Sequence, residues 1–410
     1  MQNLDVVIIG GGASGFFCAC ELLINNPKLN VEIWEKSSKI LSKVRISGGG
    51  RCNVTHDLRE NRNLIKKYPR GGKYLRHKLN AFGVQNTIDW FESKGVILKT
   101  ESDQRMFPIS NSSETIAKCL EETFINLGGK LRSHCSLELA KFENLEWQLE
   151  TSNGDVVQTQ YLVLAIGGLT LAKTKWLKDN FAVETTTLVP SIFTLNIADR
   201  DLHQLTGLSV NKGRIKYEGF KSEYEGPILI THWGLSGPAV LASSAWHARD
   251  LFELNYNAIV QVGWIGDKNE DQVREQLLNL WLENKSKSAR NAVGFGLSRR
   301  LWEWLLQKAG IPIDKTCSDI KKDESNRLVE NLIRMKFQVE GRTTYKEEFV
   351  TAGGIQLSDL NENGSFKQNE HLYAIGEMLD IDGITGGFNF QAAWSTAHVC
   401  ALDIANKLIG

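Results

Sequence analysis

The chain lacks an excess of charge of either sign. Lysine plus arginine and aspartate plus glutamate each total 48 among 410 residues, so the formal net charge is zero at pH 7. A balanced chain has no overall electrostatic attraction for polyanions or for anionic lipid. The composition therefore argues against nucleic acid and against a membrane as partners, and it does not address oligomeric state.

Paired-cysteine motifs are also missing. The seven cysteines are odd in number, scattered along the chain and never spaced as C-x-x-C. This pattern argues against a disulfide framework and against a zinc site, and we predict no bound metal.

Long apolar runs and targeting segments are absent from the sequence as given. The stretch 6–24 is the nearest to a membrane span, but glycines and Glu21 interrupt it. It fits a strand, a turn and a helix better. A strand pattern begins almost at the first residue with no basic segment before it, so we expect a cytoplasmic protein.

The amino-terminal stretch carries the strongest motif. An apolar strand over Val6–Ile9 runs into Gly10, Gly12 and Gly15, which open a helix over about 13–25. A second strand over 31–34 ends at Glu35. Glycines in this pattern allow a tight turn, close approach of a pyrophosphate and close helix packing, while the acid accepts from ribose hydroxyls. The motif predicts a dinucleotide site.

A second glycine turn near the carboxyl end narrows the choice of nucleotide. A short strand over 372–375 ends in Gly376-Glu377, and Gly386-Gly387 precede a helix over about 389–407. A helix amino terminus is ready to receive negative charge. Together, the two glycine turns and the helices that follow them have the layout of FAD proteins of the glutathione-reductase type.

The middle of the chain changes character. A buried strand runs from Tyr161 into Gly167-Gly168, and a helix is predicted at about 77–94. From Pro190 onward, short strand-like runs alternate with turns, followed by polar amphipathic helices at about 269–309 and 318–334. We therefore predict an α/β fold with a Rossmann-like FAD domain split in sequence (1–187 and 348–410). A mixed β/α substrate-side domain (188–347) is inserted.

No second dinucleotide motif follows the first. The run 294–299 stops short of one, and no C-x-x-x-x-C pair follows the first helix. NADH or NADPH would therefore visit the flavin transiently as reductant, and disulfide-reductase chemistry is disfavoured.

Several motifs together resemble one family. They are Ser47-Gly-Gly-Gly-Arg-Cys-Asn-Val-Thr55, Phe107-Pro-Ile-Ser110, Thr231-His-Trp-Gly-Leu-Ser-Gly-Pro238, Thr351-Ala-Gly-Gly-Ile355 and the run 376–391. Nearly the whole chain resembles YhiN-like or BaiN-like bacterial NAD(P)/FAD-dependent oxidoreductases, some labelled aminoacetone oxidases or 3-dehydro-bile-acid reductases. The sequence departs from that pattern at His56, Ile166 and Ala397.

The resemblance implies a non-covalent FAD, a split nucleotide-binding domain and an inserted domain on the substrate side. Motifs and resemblance together predict a set of cofactor-binding residues: Gly10, Gly12, Ala13, Ser14, Gly15, Glu35, Lys36, Gly50, Arg51, Cys52, Asn53, Ala165, Gly167, Gly168, Gly376, Glu377, Gly386, Gly387, Phe388 and Asn389.

Three residues are candidates for catalysis. Arg51 would fork onto a phosphate or stabilise a reduced flavin, and the helix that begins near Asn389 would aim N–H groups at the flavin N1–C2=O edge. His232 would deliver a proton, although a histidine beside a tryptophan is more often a hydrogen-bonded core residue. Cys52 is expected to be structural rather than reactive.

These features predict an NAD(P)H-linked flavoprotein oxidoreductase that transfers hydride between flavin N5 and a small carbonyl or enone substrate. Residues 66–78 favour a rival, because they hold six basic residues, no acid and two tyrosines. Such a patch suits RNA, although a solvated loop explains it as well. A flavin-binding sensor without turnover is a third alternative.

Overall fold

The computed structural model describes residues 2–266, 268–343 and 350–409. They form two compact units, one of residues 2–190 with 350–409 and one of residues 191–343. The first join follows Pro190, three residues later than the sequence suggested. The predicted boundary at 347/348 lies outside the described residues.

Strands and helices alternate through the first unit. In chain order they are β1 (Gln2–Ile9), α1 (Ala13–Asn25), β2 (Val31–Glu35), α2 (Ser42–Gly50), β3 (Thr55–His56), α3 (Asn61–Leu64), α4 (Gly72–Ala81), α5 (Val84–Ser93), β4 (Leu98–Thr100), β5 (Arg105–Pro108), α6 (Ser113–Asn126), β6 (Lys130–Ser133), β7 (Leu137–Glu143), β8 (Glu146–Thr151), β9 (Val156–Leu164), α7 (Leu171–Phe181) and β10 (Val189–Ser191). After the second unit the chain adds β17 (Val350–Ala352), β18 (Ser365–Phe366), β19 (Asn369–Ala374) and α14 (Phe388–Ile409).

A mostly parallel sheet forms the centre of this unit. Its strand order is β18-β19-β9-β1-β2-β6, with the β7–β8 hairpin attached to β9. Val6, Val7 and Ile8 are completely buried, as expected where helices cover both faces of a parallel sheet. Because β19, β9, β1 and β2 run parallel, the turns that follow them meet at one edge.

Helices α1 and α14 pack against each other and carry much of the buried core, including Phe16, Phe17 and Trp394. The helix predicted over 77–94 is two helices, α4 and α5. The break falls at Phe82-Gly83, where the Gly83 N–H donates to the Asn86 side chain at 3.0 Å and starts α5 afresh.

The second unit is a closed barrel with strand order β11-β14-β13-β12-β15-β16 and its own apolar core. In chain order its elements are β11 (Thr194–Ile197), α8 (Arg200–His203), β12 (Ser209–Tyr217), β13 (Glu223–Ile230), β14 (Gly234–Ser236), α9 (Pro238–Trp246), α10 (Ala248–Glu253), β15 (Asn257–Gly263), α11 (Glu270–Glu283), α12 (Arg299–Lys308), α13 (Lys322–Arg334) and β16 (Met335–Thr343).

The polar helical stretch predicted at 269–309 divides into α11 and α12. Side chains of Asn269 and Ser298 accept from backbone N–H groups in the first turns of these helices, so each helix has its own start. Among the described residues, no helix combines the length and apolar character needed to cross a bilayer.

Candidate functional site

Three glycines shape the turn after β1, and they do so differently. Gly10 has a φ of +115°, and a Cβ there would lie 2.4 Å from the carbonyl oxygen of Ala165. A Cβ on Gly15 would lie 2.1 Å from the carbonyl oxygen of Gly10. Gly12 has no atom within 4 Å of the place its Cβ would take. The first two glycines therefore allow packing, whereas Gly12 borders open space.

The start of α1 and the end of β2 lie beside that space. Gly12 is the N-cap and provides no side chain to the first-turn N–H groups, so these suit an anion such as a pyrophosphate. The Gly11 N–H donates to Glu35 Oε2 at 2.9 Å, and both the N–H and the hydroxyl of Ser37 donate to Oε1 at 3.0 Å. These bonds hold the Glu35 carboxylate next to the glycine turn, while Lys36 is exposed.

Turns after β9 and β19 meet the same edge. The Ala165 N–H donates to Ile9 O at 2.8 Å, which extends the pairing of β9 with β1 by one residue, to just before the turn at Gly167-Gly168. A Cβ on Gly376 would lie 2.5 Å from Ser14 Oγ, so this turn packs directly on α1. The Gly168 N–H donates to Glu377 Oε2 at 3.3 Å.

Two lysines that no sequence motif indicated stand at this edge. Lys43 Nζ lies 2.7 and 2.6 Å from the two carboxylate oxygens of Glu377. Lys173 Nζ donates to the carbonyl oxygens of Ile166 and Gly168 at 2.6 and 2.8 Å. Burial lowers the pKa of Lys173 to about 8. Both amines place positive charge near the predicted phosphate site.

The glycine run at the end of α2 departs from helical geometry and is open on one side. Gly48, Gly49 and Gly50 have φ values of +59°, +67° and +80°, and nothing lies within 4 Å of a Cβ on the last two. Cys52 is fully buried, and burial raises the pKa of its thiol to about 12. The thiol therefore stays protonated at neutral pH.

Asn53 is the most informative polar residue of the site. Its side chain is buried, and its Oδ1 has no hydrogen-bond partner among the described residues. A Cβ on Gly387 would lie 2.9 Å from this oxygen, so Gly387 keeps the space open. A buried, unpaired acceptor costs free energy unless a donor satisfies it, and a ring N–H is a suitable donor.

The chain after Asn53 is tied to the first turns of α14. Thr55 Oγ1 donates to Gln391 Oε1 at 2.6 Å, and Trp394 Nε1 donates to Val54 O at 3.0 Å. His56 Nδ1 lies 3.0 Å from Gly386 O, an acceptor only, so Nδ1 carries the proton. Burial lowers the pKa of His56, which favours the neutral ring.

The three catalytic candidates lie in different settings. Arg51 Nη1 pairs with Glu101 Oε1 at 2.6 Å, and the guanidinium lies 4.0 Å from the centre of the Phe107 ring. His232 is exposed in the β13–β14 turn of the second unit, so the expectation of a core histidine is wrong. Its role in proton delivery stays a prediction.

The Asn389 side chain is hydrogen-bonded to the loop that precedes α14. Its Oδ1 accepts from the Gly383 N–H at 2.7 Å, and its Nδ2 donates to Gly383 O at 3.2 Å. An aspartate here would lose the second bond, so Asn389→Asp would disturb this loop as well as add a negative charge. The Phe388 side chain is buried, with its ring centre 4.6 Å from that of His56.

The residues present fit FAD. The uncapped start of α1 with open space at Gly12 suits a pyrophosphate, and Glu35 suits a ribose. The unpaired Asn53 oxygen beside the first turn of α14 suits the N–H edge of an isoalloxazine ring. The described residues hold no group of three histidine, cysteine or acidic side chains placed to bind a metal.

Comparisons with known proteins agree with this geometry. The family described as HI0933-like proteins with a Rossmann domain matches residues 4–403. Ribosomal RNA dihydrouridine synthase of Escherichia coli K12 is 29% identical, over 98% of both chains. The 3-dehydro-bile acid delta(4,6)-reductase of Clostridium scindens is 23% identical, again over 98% of both.

A solved structure shows the same fold at low identity. The 3-ketosteroid-delta4-(5alpha)-dehydrogenase of Rhodococcus jostii RHA1 superposes with a TM-score of 0.52 at 12% identity, covering 98% of this chain and 97% of that one. The likeness extends over both units and concerns the fold alone.

Proposed function

The chain belongs to the HI0933-like family of FAD-binding oxidoreductases, and we propose that it is an NAD(P)H-linked reductase. The bond that it reduces is a carbon–carbon double bond conjugated to a carbonyl. When bound, FAD exchanges hydride with the nicotinamide and with the substrate. The absence of a second dinucleotide motif supports a nicotinamide that binds transiently.

We infer that the substrate is uridine in ribosomal RNA. The observation that carries this choice is the 29% identity, over 98% of both chains, to a protein named ribosomal RNA dihydrouridine synthase. The C5=C6 bond of uracil is conjugated to the C4 carbonyl, so it is an enone of the class that the sequence predicted. The overall reaction joins uridine, NAD(P)H and a proton to give dihydrouridine and NAD(P)⁺.

The chain's own groups would act through preorganised polarity. First-turn N–H groups of α14 and the Asn53 oxygen are fixed before the cofactor arrives, through Thr55, Gln391 and Trp394. Fixed donors placed where negative charge develops are among the larger contributions to catalysis, and losing one costs about 2.7–4 kcal/mol. Burial lowers the pKa of His56, so its neutral ring adds no positive charge beside the first turn of α14.

The test is a single-turnover experiment on the purified holoenzyme. The flavin is reduced anaerobically with NADPH or NADH, and deproteinised ribosomal RNA is then added while flavin absorbance is followed. We expect re-oxidation of the flavin and a gain of two hydrogens on one uridine by nucleoside mass spectrometry. A flavin that stays reduced in the presence of the RNA and is re-oxidised only when oxygen is admitted, with the RNA unmodified, would contradict the proposal and favour a sensor without turnover.

A free enone is the second candidate substrate. It is favoured by the 23% identity to a bile acid delta(4,6)-reductase, whose name specifies double bonds in a steroid. The same reduced enzyme is mixed with a 3-keto-4-ene steroid and with free uridine. Faster re-oxidation by the steroid than by ribosomal RNA would establish the small-molecule activity instead.

A further inference from the structure

The basic segment 66–78 separates into buried and exposed cations. Arg70 pairs with the carboxylate of Asp382, and the two side chains are only 11% and 1% exposed. Lys78 is buried, with its Nζ 3.2 Å from the centre of the Tyr74 ring and 3.3 Å from Tyr74 O. Both side chains are engaged within the fold and are not available to a partner.

The other four cations face solvent. Lys66, Lys73 and Arg76 are exposed and Lys67 is half-exposed, and within the described part of the chain none of the four is in an ion pair. We call Lys66, Lys67, Lys73 and Arg76 the basic rim. Glu362 lies 3.6 Å from His77, which is not one of the rim residues. The rim therefore carries uncompensated positive charge.

The rim is held against the loop that leads into α14. The Ile384 N–H donates to Lys67 O at 3.0 Å, and Tyr68 Oη donates to Phe388 O at 2.8 Å. Arg70 and Asp382 also form a backbone bridge between the two segments. Helix α4, which carries the last two rim residues, packs on α14 itself. Lys66 and Lys67 are thus fixed beside the loop that leads into α14, while Lys73 and Arg76 continue the rim along α4.

The tyrosines of the segment do not add a stacking surface. Tyr68 is 4% exposed, and Tyr74 donates to Asn361 O at 3.0 Å while Lys78 covers its ring. The two tyrosines between the basic residues are therefore engaged within the fold. What the rim offers is charge alone, which suits phosphates and carries no base specificity.

We propose that the basic rim binds the phosphate backbone of the RNA whose uridine is reduced at the neighbouring flavin edge. This inference rests on the proposed function. Lysine and arginine that neutralise phosphates release counterions, so each contact strengthens binding and makes it salt-dependent. The rim would thereby hold an RNA strand at the site, while the base itself is selected elsewhere.

The experiment compares two holoenzyme variants of equal charge. Lys73→Gln with Arg76→Gln removes two rim cations from the exposed side of α4. Lys118→Gln with Lys141→Gln removes two exposed lysines from α6 and β7 of the same unit. Binding to deproteinised ribosomal RNA is measured by fluorescence anisotropy at several salt concentrations, and flavin reduction by NADPH is measured in parallel.

We expect the rim variant to bind RNA about 25-fold more weakly at 0.1 M salt, with a log–log salt slope smaller by about 1.4, which corresponds to two lost phosphate contacts. The control pair should bind within about 2-fold of the unchanged enzyme, and flavin reduction should be equal in all three. Equal RNA binding by both variants, or no RNA binding by the unchanged enzyme, would overturn the proposal that the rim binds RNA.

The two proposals fail separately. If the unchanged enzyme binds RNA through the rim yet forms no dihydrouridine, the proposed reaction is wrong and the rim stands. If dihydrouridine forms at equal KM in the rim variant and in the control, the reaction stands and the rim is wrong.

Discussion

At the scale of single residues, the glycines of the amino-terminal motif are required for different reasons. Gly15 is needed by the protein itself, because a Cβ there would overlap Gly10 O at 2.1 Å. Gly12 has extended backbone (φ −93°, ψ −172°) that alanine adopts freely, and its Cβ would meet nothing within 4 Å. Its requirement comes from the ligand alone.

We therefore predict opposite results for two alanine substitutions. Gly12→Ala should leave the melting temperature of the apoprotein within about 1 °C but weaken FAD binding at least about 10-fold, because the methyl group occupies space that the pyrophosphate needs. Gly15→Ala should destabilise the apoprotein itself by about 1–3 kcal/mol through overpacking. Thermal melts and FAD titration of both variants decide this. A Gly12→Ala protein with unchanged FAD affinity would contradict it.

The residue scale also shows what sequence could predict. Gly10, Gly15, Glu35 and Gly376 were predictable because their spacing within strand, turn and helix follows from local geometry. Lys43 and Lys173 were not, since their positions depend on neighbours far along the chain. Asn53 was in the predicted set, but only the structure shows that its Oδ1 is buried without a partner.

At the scale of elements, α4 shows how one helix serves two purposes. Its exposed side carries Lys73 and Arg76, and its buried side carries Leu75, Lys78 and Leu79 against α14. Periodicity predicted a helix here but missed both its start and the break before α5. A lysine on the buried side of a helix conflicts with the hydrophobic pattern of the sequence, and only the tertiary contacts of Lys78 explain it.

Burial lowers the pKa of Lys78 to about 7, against about 10.4 in an unfolded chain. Between these values the unfolded state binds the extra proton, so this lysine makes stability rise with pH, by at most about 1.4 kcal/mol per unit. We predict that Lys78→Met raises stability at pH 7.5, and that this advantage over the unchanged protein shrinks by roughly 1 kcal/mol at pH 8.5.

Urea unfolding at the two pH values measures the difference. Lys73→Met, on the exposed side of the same helix, is the matched control and should show no such pH dependence. An advantage of Lys78→Met that stays constant between pH 7.5 and 8.5 would show that the buried amine does not titrate in this range.

At the scale of the whole molecule, two cores coexist in one chain. The sheet unit buries Val6, Phe16 and Trp394, and the barrel unit buries Ile215, Val260 and Trp302. The family and the α/β class could be predicted from the sequence and are confirmed. The closed barrel could not, because alternation along a strand shows which side is buried but not which strands pair, and closure depends on pairing between distant strands such as β11 and β16.

Because each unit has its own core, we predict two thermal transitions in calorimetry. FAD should raise only the one that belongs to the sheet unit, by a stability increment of about 2.7 kcal/mol at 100 times its dissociation constant. Gly12→Ala is the control, since an affinity at least about 10-fold weaker should cut that increment to about 1.4 kcal/mol or less at the same FAD concentration, while both apoprotein transitions stay in place. A single transition that moves as a whole with FAD would mean that the units unfold together.

The return of the chain to the sheet has a consequence during synthesis. Residues Leu162–Leu164 of β9 pair with Leu372–Ala374 of β19, which emerge about 200 residues later. At roughly 5–20 residues per second, this apolar strand edge waits about 10–40 s for its partner while the barrel is being made. An unpaired edge of this kind invites pairing with other chains. The nascent polypeptide therefore passes through an aggregation-prone interval on the ribosome, and it gains its cofactor only after that interval ends.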